Sequence, residues 1–171
     1  MRRSTLFLAS MALMVGVAAS VAWAADIQCG PSEADNPCVG TNQEDTLTGT
    51  SVVDFIFGLG GNDTISGGRE NDILSGGSGN DEVKGGLGND ACLGGAGDDE
   101  LRCGPNGDVV RGGNGNDTVL AGGGFDEIDV RGDQDYGFQD QVICGAGEED
   151  IVYADDNDEV DEATCENINP L

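Results

Sequence analysis

The sequence predicts an all-β chain wound into a parallel solenoid of short strands. Three observations predict it. A nine-residue period runs without an insertion from Gly40 to Asp129, an aspartate holds the sixth place of every period, and one small or apolar side chain holds the eighth. A fixed period of this kind is the signature of a repeat architecture, in which each unit buries its apolar side chain only against its neighbours.

The blocks read GTNQEDTLT, GTSVVDFIF, GLGGNDTIS, GGRENDILS, GGSGNDEVK, GGLGNDACL, GGAGDDELR, CGPNGDVVR, GGNGNDTVL and AGGGFDEID. The sixth column is Asp45, Asp54, Asp63, Asp72, Asp81, Asp90, Asp99, Asp108, Asp117 and Asp126. The eighth is Leu47, Ile56, Ile65, Leu74, Val83, Cys92, Leu101, Val110, Val119 and Ile128. Places seven to nine put one inward residue between two outward ones, which suits a three-residue strand. The glycine-rich places before them read as a turn. So short a strand is not stable alone but gains a ladder and a continuous interior when stacked.

Two blocks make one coil with a strand on each side, so turns eighteen residues apart lie over one another. Five coils at about 4.8 Å give a body roughly 24 Å long. Aspartates such as Asp63 and Asp81 then face each other along an edge lined by carbonyls. Two carboxylates about 5 Å apart repel by roughly 0.8 kcal/mol in water and about 3 kcal/mol at an effective dielectric of 20. Repeated along both edges, this arrangement calls for a hard divalent cation. Carboxylate and carbonyl oxygens without nitrogen or sulfur select calcium over zinc or copper. The chain has no histidine.

These blocks resemble the calcium-binding RTX or haemolysin-type nonapeptide, G-G-x-G-x-D-x-U-x. Gly76–Lys84 and Gly112–Leu120 match it at every defined place, and Gly85–Leu93 departs only at Cys92. The resemblance implies a β-roll with several calcium ions between successive turns, held by the sixth-place carboxylates and turn carbonyls.

The two edges are not equal. One carries GTNQED, GLGGND, GGSGND, GGAGDD and GGNGND and stays near consensus from Gly58 to Asp117. The other is interrupted by Val52, Val53, Arg69, Glu70, Pro105 and Phe125. The firmest calcium sites are therefore expected at Asp63, Asp81, Asp99 and Asp117, weaker ones at Asp72, Asp90 and Asp108, and the weakest at the ends, at Asp45, Asp54 and Asp126. So few inward side chains cannot offset the entropy of ordering a glycine-rich backbone. The roll is expected to fold only on binding calcium.

The flanks divide the chain further. Arg2 and Arg3 precede an apolar run from Leu6 to about Ala22, and Ala22-Trp23-Ala24 then offers a cleavage pattern. Residues 1–24 read as a signal peptide, the competing reading being an uncleaved anchor. Residues 25–39 read as an N-terminal cap, 40–129 as the repeats and 130–171 as an irregular C-terminal cap. In the last, Asp140-Gln141-Val142, Asp150-Ile151-Val152 and Asp158-Glu159-Val160 loosely resume the pattern. Six cysteines in an exported chain point to disulfides. Cys29 is expected to bond Cys38, and Cys144 to bond Cys165. Cys92 and Cys103 either close a third bond or stay as buried thiols.

The chain carries 33 acidic and 7 basic residues, so nucleic acid is excluded as a partner by repulsion from its phosphates. Nothing after residue 25 is apolar enough for an integral membrane segment. No HExxH or GxSxG motif occurs, which argues against an enzyme. Outward places lack the regular Thr or Asn row that ice binding requires. The expected role is a secreted calcium-binding module, structural or interactive, free outside the cell, in a periplasm or on a cell surface. Calcium-dependent adhesion or surface-layer assembly is the alternative.

Overall fold

The computed structural model describes residues 25–30, 37–132, 138–147 and 149–170; the expected signal peptide lies outside them. Strands follow one another in chain order: β1 (Ala25–Gln28), β2 (Cys38–Val39), β3 (Asp45–Thr48), β4 (Phe55–Gly60), β5 (Thr64–Arg69), β6 (Ile73–Ser78), β7 (Glu82–Leu87) and β8 (Ala91–Ala96). They continue as β9 (Glu100–Pro105), β10 (Val109–Asn114), β11 (Thr118–Gly123), β12 (Glu127–Asp129), β13 (Gln141–Gly145), β14 (Ile151–Ala154), β15 (Glu159–Val160) and β16 (Asn167–Pro170). Odd-numbered strands form one eight-stranded sheet and even-numbered strands another. All pairings are parallel, and the chain crosses from sheet to sheet at every turn. This is the solenoid the period predicts.

The inward column is as read from the sequence. Leu47, Ile56, Ile65, Leu74, Val83, Cys92, Leu101, Val110, Val119 and Ile128 are fully buried. They stack in register one coil apart, Ile65 on Val83 and Leu74 on Cys92. At about 25 cal/mol per Å² of apolar area removed from water, this column is the main apolar contribution to the fold.

One expectation needs correction. The strands are six residues long through the repeats, not three: β7 runs from the seventh place of one block to the third place of the next. The first-place glycine is thus an inward strand residue, and the second-place glycines pair across coils, as Gly68 does with Gly86. Glycine permits this because the second place has positive φ, +117° at Gly86. Beyond Asp129 the described residues also carry strands. β13 to β16 add to both sheets, Val142 lying on Val119 and Val152 on Ile128. Only the spacing is irregular there, 23 and 24 residues instead of 18. Likewise β1 and β2 are strands of the roll itself.

The cysteines at the flanks pair as expected, Cys29 with Cys38 and Cys144 with Cys165. Cys92 and Cys103 are buried thiols. The outer faces of the two sheets differ. On the odd sheet, Glu82 pairs with Lys84 and Glu100 with Arg102. On the even sheet, Ile73, Val109 and Leu59 are exposed apolar residues, in line with the less exposed Phe57 and Leu93.

Candidate metal sites in the turns

Every sixth-place aspartate is buried, none more than 2% exposed. The strand places it there: the sixth, eighth and first places alternate inward, so the carboxylate stands beside the apolar column at the mouth of its turn. The roll then uses one oxygen of each in a ladder. The Asp45 amide donates to Asp63 Oδ1 at 2.8 Å, Asp63 to Asp81 at 2.7 Å, Asp81 to Asp99 at 2.8 Å and Asp99 to Asp117 at 2.9 Å. On the other edge Asp54 donates to Asp72, Asp72 to Asp90, Asp90 to Asp108 and Asp108 to Asp126, all at 2.7–2.8 Å.

The second oxygen has no such use. Oδ2 of Asp63, Asp72, Asp81, Asp90, Asp99, Asp108 and Asp126 is buried without a hydrogen-bond partner. A buried carboxylate oxygen left unsatisfied costs on the order of 1–3 kcal/mol or more. Burial, opposed by the ladder hydrogen bond and aided by neighbouring aspartates, pushes Asp72, Asp99 and Asp108 up to about 7. Burial likewise raises Asp81 and Asp126 to about 6, and raises Asp63 and Asp90. Each site favours a proton or a metal cation over a bare charge.

The orphaned oxygen has company. A Cβ built on Gly94 would stand 2.6 Å from the Gly112 carbonyl oxygen and closer still to Asp99 Oδ2. The same convergence recurs at Gly67, between Asp72 Oδ2 and the Gly85 carbonyl at 2.8 Å, and at Gly58, between Asp63 Oδ2 and the Gly76 carbonyl at 2.5 Å. In each case a carboxylate oxygen and the next coil's carbonyl oxygen meet over a bare glycine Cα. That is an all-oxygen donor set, fit for a hard cation such as calcium.

The decisive comparison is with sequence families. A model described as the RTX calcium-binding nonapeptide repeat matches residues 39–74, 66–101 and 104–136. The chain belongs to this family. No curated protein and no solved structure matches it. Among the described residues no group of three His, Cys, Asp or Glu side chains is placed to hold a metal. In the turns of Asp63, Asp72, Asp90 and Asp99 one carboxylate oxygen instead stands with one main-chain carbonyl oxygen.

The RTX turns are not uniform. Asp45 and Asp54 have their second oxygens satisfied, by the amide and hydroxyl of Thr41 and of Thr50 at 2.5–2.8 Å. On the edge of Asp63, Asp81 and Asp99, the first place is glycine through Gly112. On the other edge, buried Cys103 and Ala121 replace it in the turns of Asp108 and Asp126. An outer ladder also supports the first edge: Asn80 and Asp98 donate their amides to Asn62 and Asn80 Oδ1, and Asn116 donates to Asp98. Across the other edge a matching bond joins Asn89 to Asn71, and Gly107 and Phe125 then supply no fifth-place acceptor.

Sequence reasoning left four ladder members out of the site. Asp117 and Asp126 donate to Asp140 and Asp150, and these donate in turn to Asp158 Oδ1 and Glu166 Oε2. The signal was visible in the triplets at Asp140, Asp150 and Asp158, but the longer spacing hid their place in the columns.

Proposed function

We propose that this chain is an exported calcium-binding β-roll that folds when calcium enters its turns and serves as a structural or interaction module outside the cytoplasm. The observation that carries the reading is the orphaned Oδ2 of Asp63, Asp72, Asp90 and Asp99, each set against a carbonyl of the next coil. Calcium supplies there the positive charge that lets a buried carboxylate stay ionised. The residues that would hold it are Asp63, Asp81, Asp99 and Asp117 most firmly, then Asp72, Asp90 and Asp108, with first-place carbonyls between coils. Asp45 and Asp54 are structural, since Thr41 and Thr50 already occupy their free oxygens; Asp126 is weakened by Ala121.

Two disulfides in an acid-rich chain with an apolar N-terminal run support an oxidising destination. The test combines circular dichroism and calorimetry on the full chain. In chelator the β signal is largely absent, and millimolar calcium, a range common among extracellular modules, restores it with several ions bound per chain. A full β signal in chelator, unchanged by calcium, overturns the reading. Calcium-dependent recovery of the chain with whole cells, compared with its recovery free in the medium, separates surface adhesion from a free module.

A further inference from the structure

Cys92 and Cys103 occupy the middle of the roll, one on β8 of the even sheet and one on β9 of the odd sheet. Both are 0% exposed and belong to the same buried core. Cys103 takes the first place of its block, which is otherwise glycine from Gly40 through Gly112. That substitution is what brings a second sulfur beside the first. The other four cysteines are already joined in pairs near the two ends.

We propose that Cys92 and Cys103 close a third disulfide, crossing the interior from sheet to sheet, and that it forms only while the roll is calcium-free. The inference rests on the calcium-dependent folding put forward above. In the closed roll no oxidant reaches either sulfur, because ladder, apolar column and turns cover both. In the open chain the two lie eleven positions apart and meet readily. The oxidant is a low-mass disulfide such as oxidised glutathione. One cysteine thiolate attacks it, forming a mixed disulfide and releasing one glutathione thiol. The second thiolate then displaces the other glutathione. Two protein thiols are oxidised, one glutathione disulfide is reduced to two thiols, and no other reactant is needed. Calcium therefore acts as a gate: oxidation precedes loading, and a roll loaded first keeps its dithiol.

The bond also feeds back on calcium. Closing a loop of this size shifts a folding equilibrium by on the order of 100-fold. Shared over about four ions, that lowers the calcium midpoint of folding about threefold.

The experiment takes the full chain, reduced, and oxidises it in a glutathione redox buffer with calcium or with chelator. Samples are alkylated in denaturant and mapped by mass spectrometry, with circular dichroism run in parallel. The expected result is a Cys92–Cys103 bond in chelator, and alkylated Cys92 and Cys103 in calcium, where oxidation is slowed at least 100-fold. Equal oxidation in both, with dichroism showing calcium-driven folding, overturns this inference and leaves the calcium reading standing. So does the absence of a Cys92–Cys103 bond in either condition. Dichroism unmoved by calcium overturns both. As a second readout, oxidised Cys92→Ala needs about threefold more calcium to fold than the oxidised parent; an unchanged midpoint counts against the cross-link.

Discussion

Replacing Asp99 with asparagine separates the two tasks of its carboxylate. The amide oxygen still accepts from the Asp81 amide, as Oδ1 does now at 2.8 Å. The amide nitrogen replaces the orphaned Oδ2 and stands near the Gly112 carbonyl, to which it can donate. A negative charge flanked by Asp81 and Asp117 disappears. At a strand spacing of about 4.8 Å, each like-charge pair costs about 0.9 kcal/mol in water and about 3.5 kcal/mol at an effective dielectric of 20. Asp99 is pushed up to about 7 by burial, so it is only partly ionised at neutral pH, and the relief is about 1–3 kcal/mol. In chelator, Asp99→Asn should therefore fold more readily than the parent. In calcium the sign reverses. Losing a charged contact worth about 1.5–3 kcal/mol should weaken binding at that turn roughly tenfold or more. Circular dichroism in chelator gives the first quantity and calorimetric titration with calcium the second. A variant destabilised equally in both conditions would show that the aspartate ladder is purely structural and that the metal reading of it is wrong.

Three further outcomes follow from the same geometry. Asp81→Ala should lose more calcium, in stoichiometry or affinity, than Asp126→Ala, whose turn already carries Ala121; calorimetric titrations giving equal losses would remove the distinction between edges. Leu59 sits at φ 80° with 49% of its surface exposed. Leu59→Gly should relieve about 1–2 kcal/mol of left-handed strain against about 0.5–1 kcal/mol of added chain entropy, a small net gain readable as a higher thermal midpoint in calcium; a lower midpoint would mean that Leu59 makes a needed contact. The calcium-free chain should gain β structure on acidification. Asp72, Asp99, Asp108 and Asp140 are raised by burial to about 7, while unfolded aspartate titrates near 3.9. Between those values the folded state binds more protons than the unfolded one, so stability falls as pH rises through the window and is greatest near its acid end. A dichroism signal in chelator that is flat from about pH 7 to about pH 4 would contradict this.

The parts of the fold set by strict periodicity were legible in the sequence. The Asp63 and Ile65 columns recur at fixed intervals, and inward placement follows from strand parity alone. The strands were read too short because glycine at the first and second places, as at Gly85 and Gly86, looks like turn. Without side chains the backbones of successive coils pair there as strand. Asp140 and Asp150 escaped the site because their spacing changed to 23 and 24 residues, while stacking answers to where the chain returns and not to how many residues it takes. The satisfied oxygens of Asp45 and Asp54 were visible only as Thr41 and Thr50, four residues earlier, where most blocks have glycine. Nothing in a period marks a threonine as a cap until the turn is built around it.

The aspartate ladder also has a direction. Each sixth-place amide finds its acceptor in the coil that follows it in the chain, never in the one before. The sixth-place amide of each coil is therefore completed by the coil after it, whereas the seventh-place amides donate backwards, as Glu82 does to the Asp63 carbonyl. At the C-terminal end the amides of Asp140 and Asp150 donate to Asp158 and Glu166, so loss of that segment would leave two part-buried donors without these acceptors.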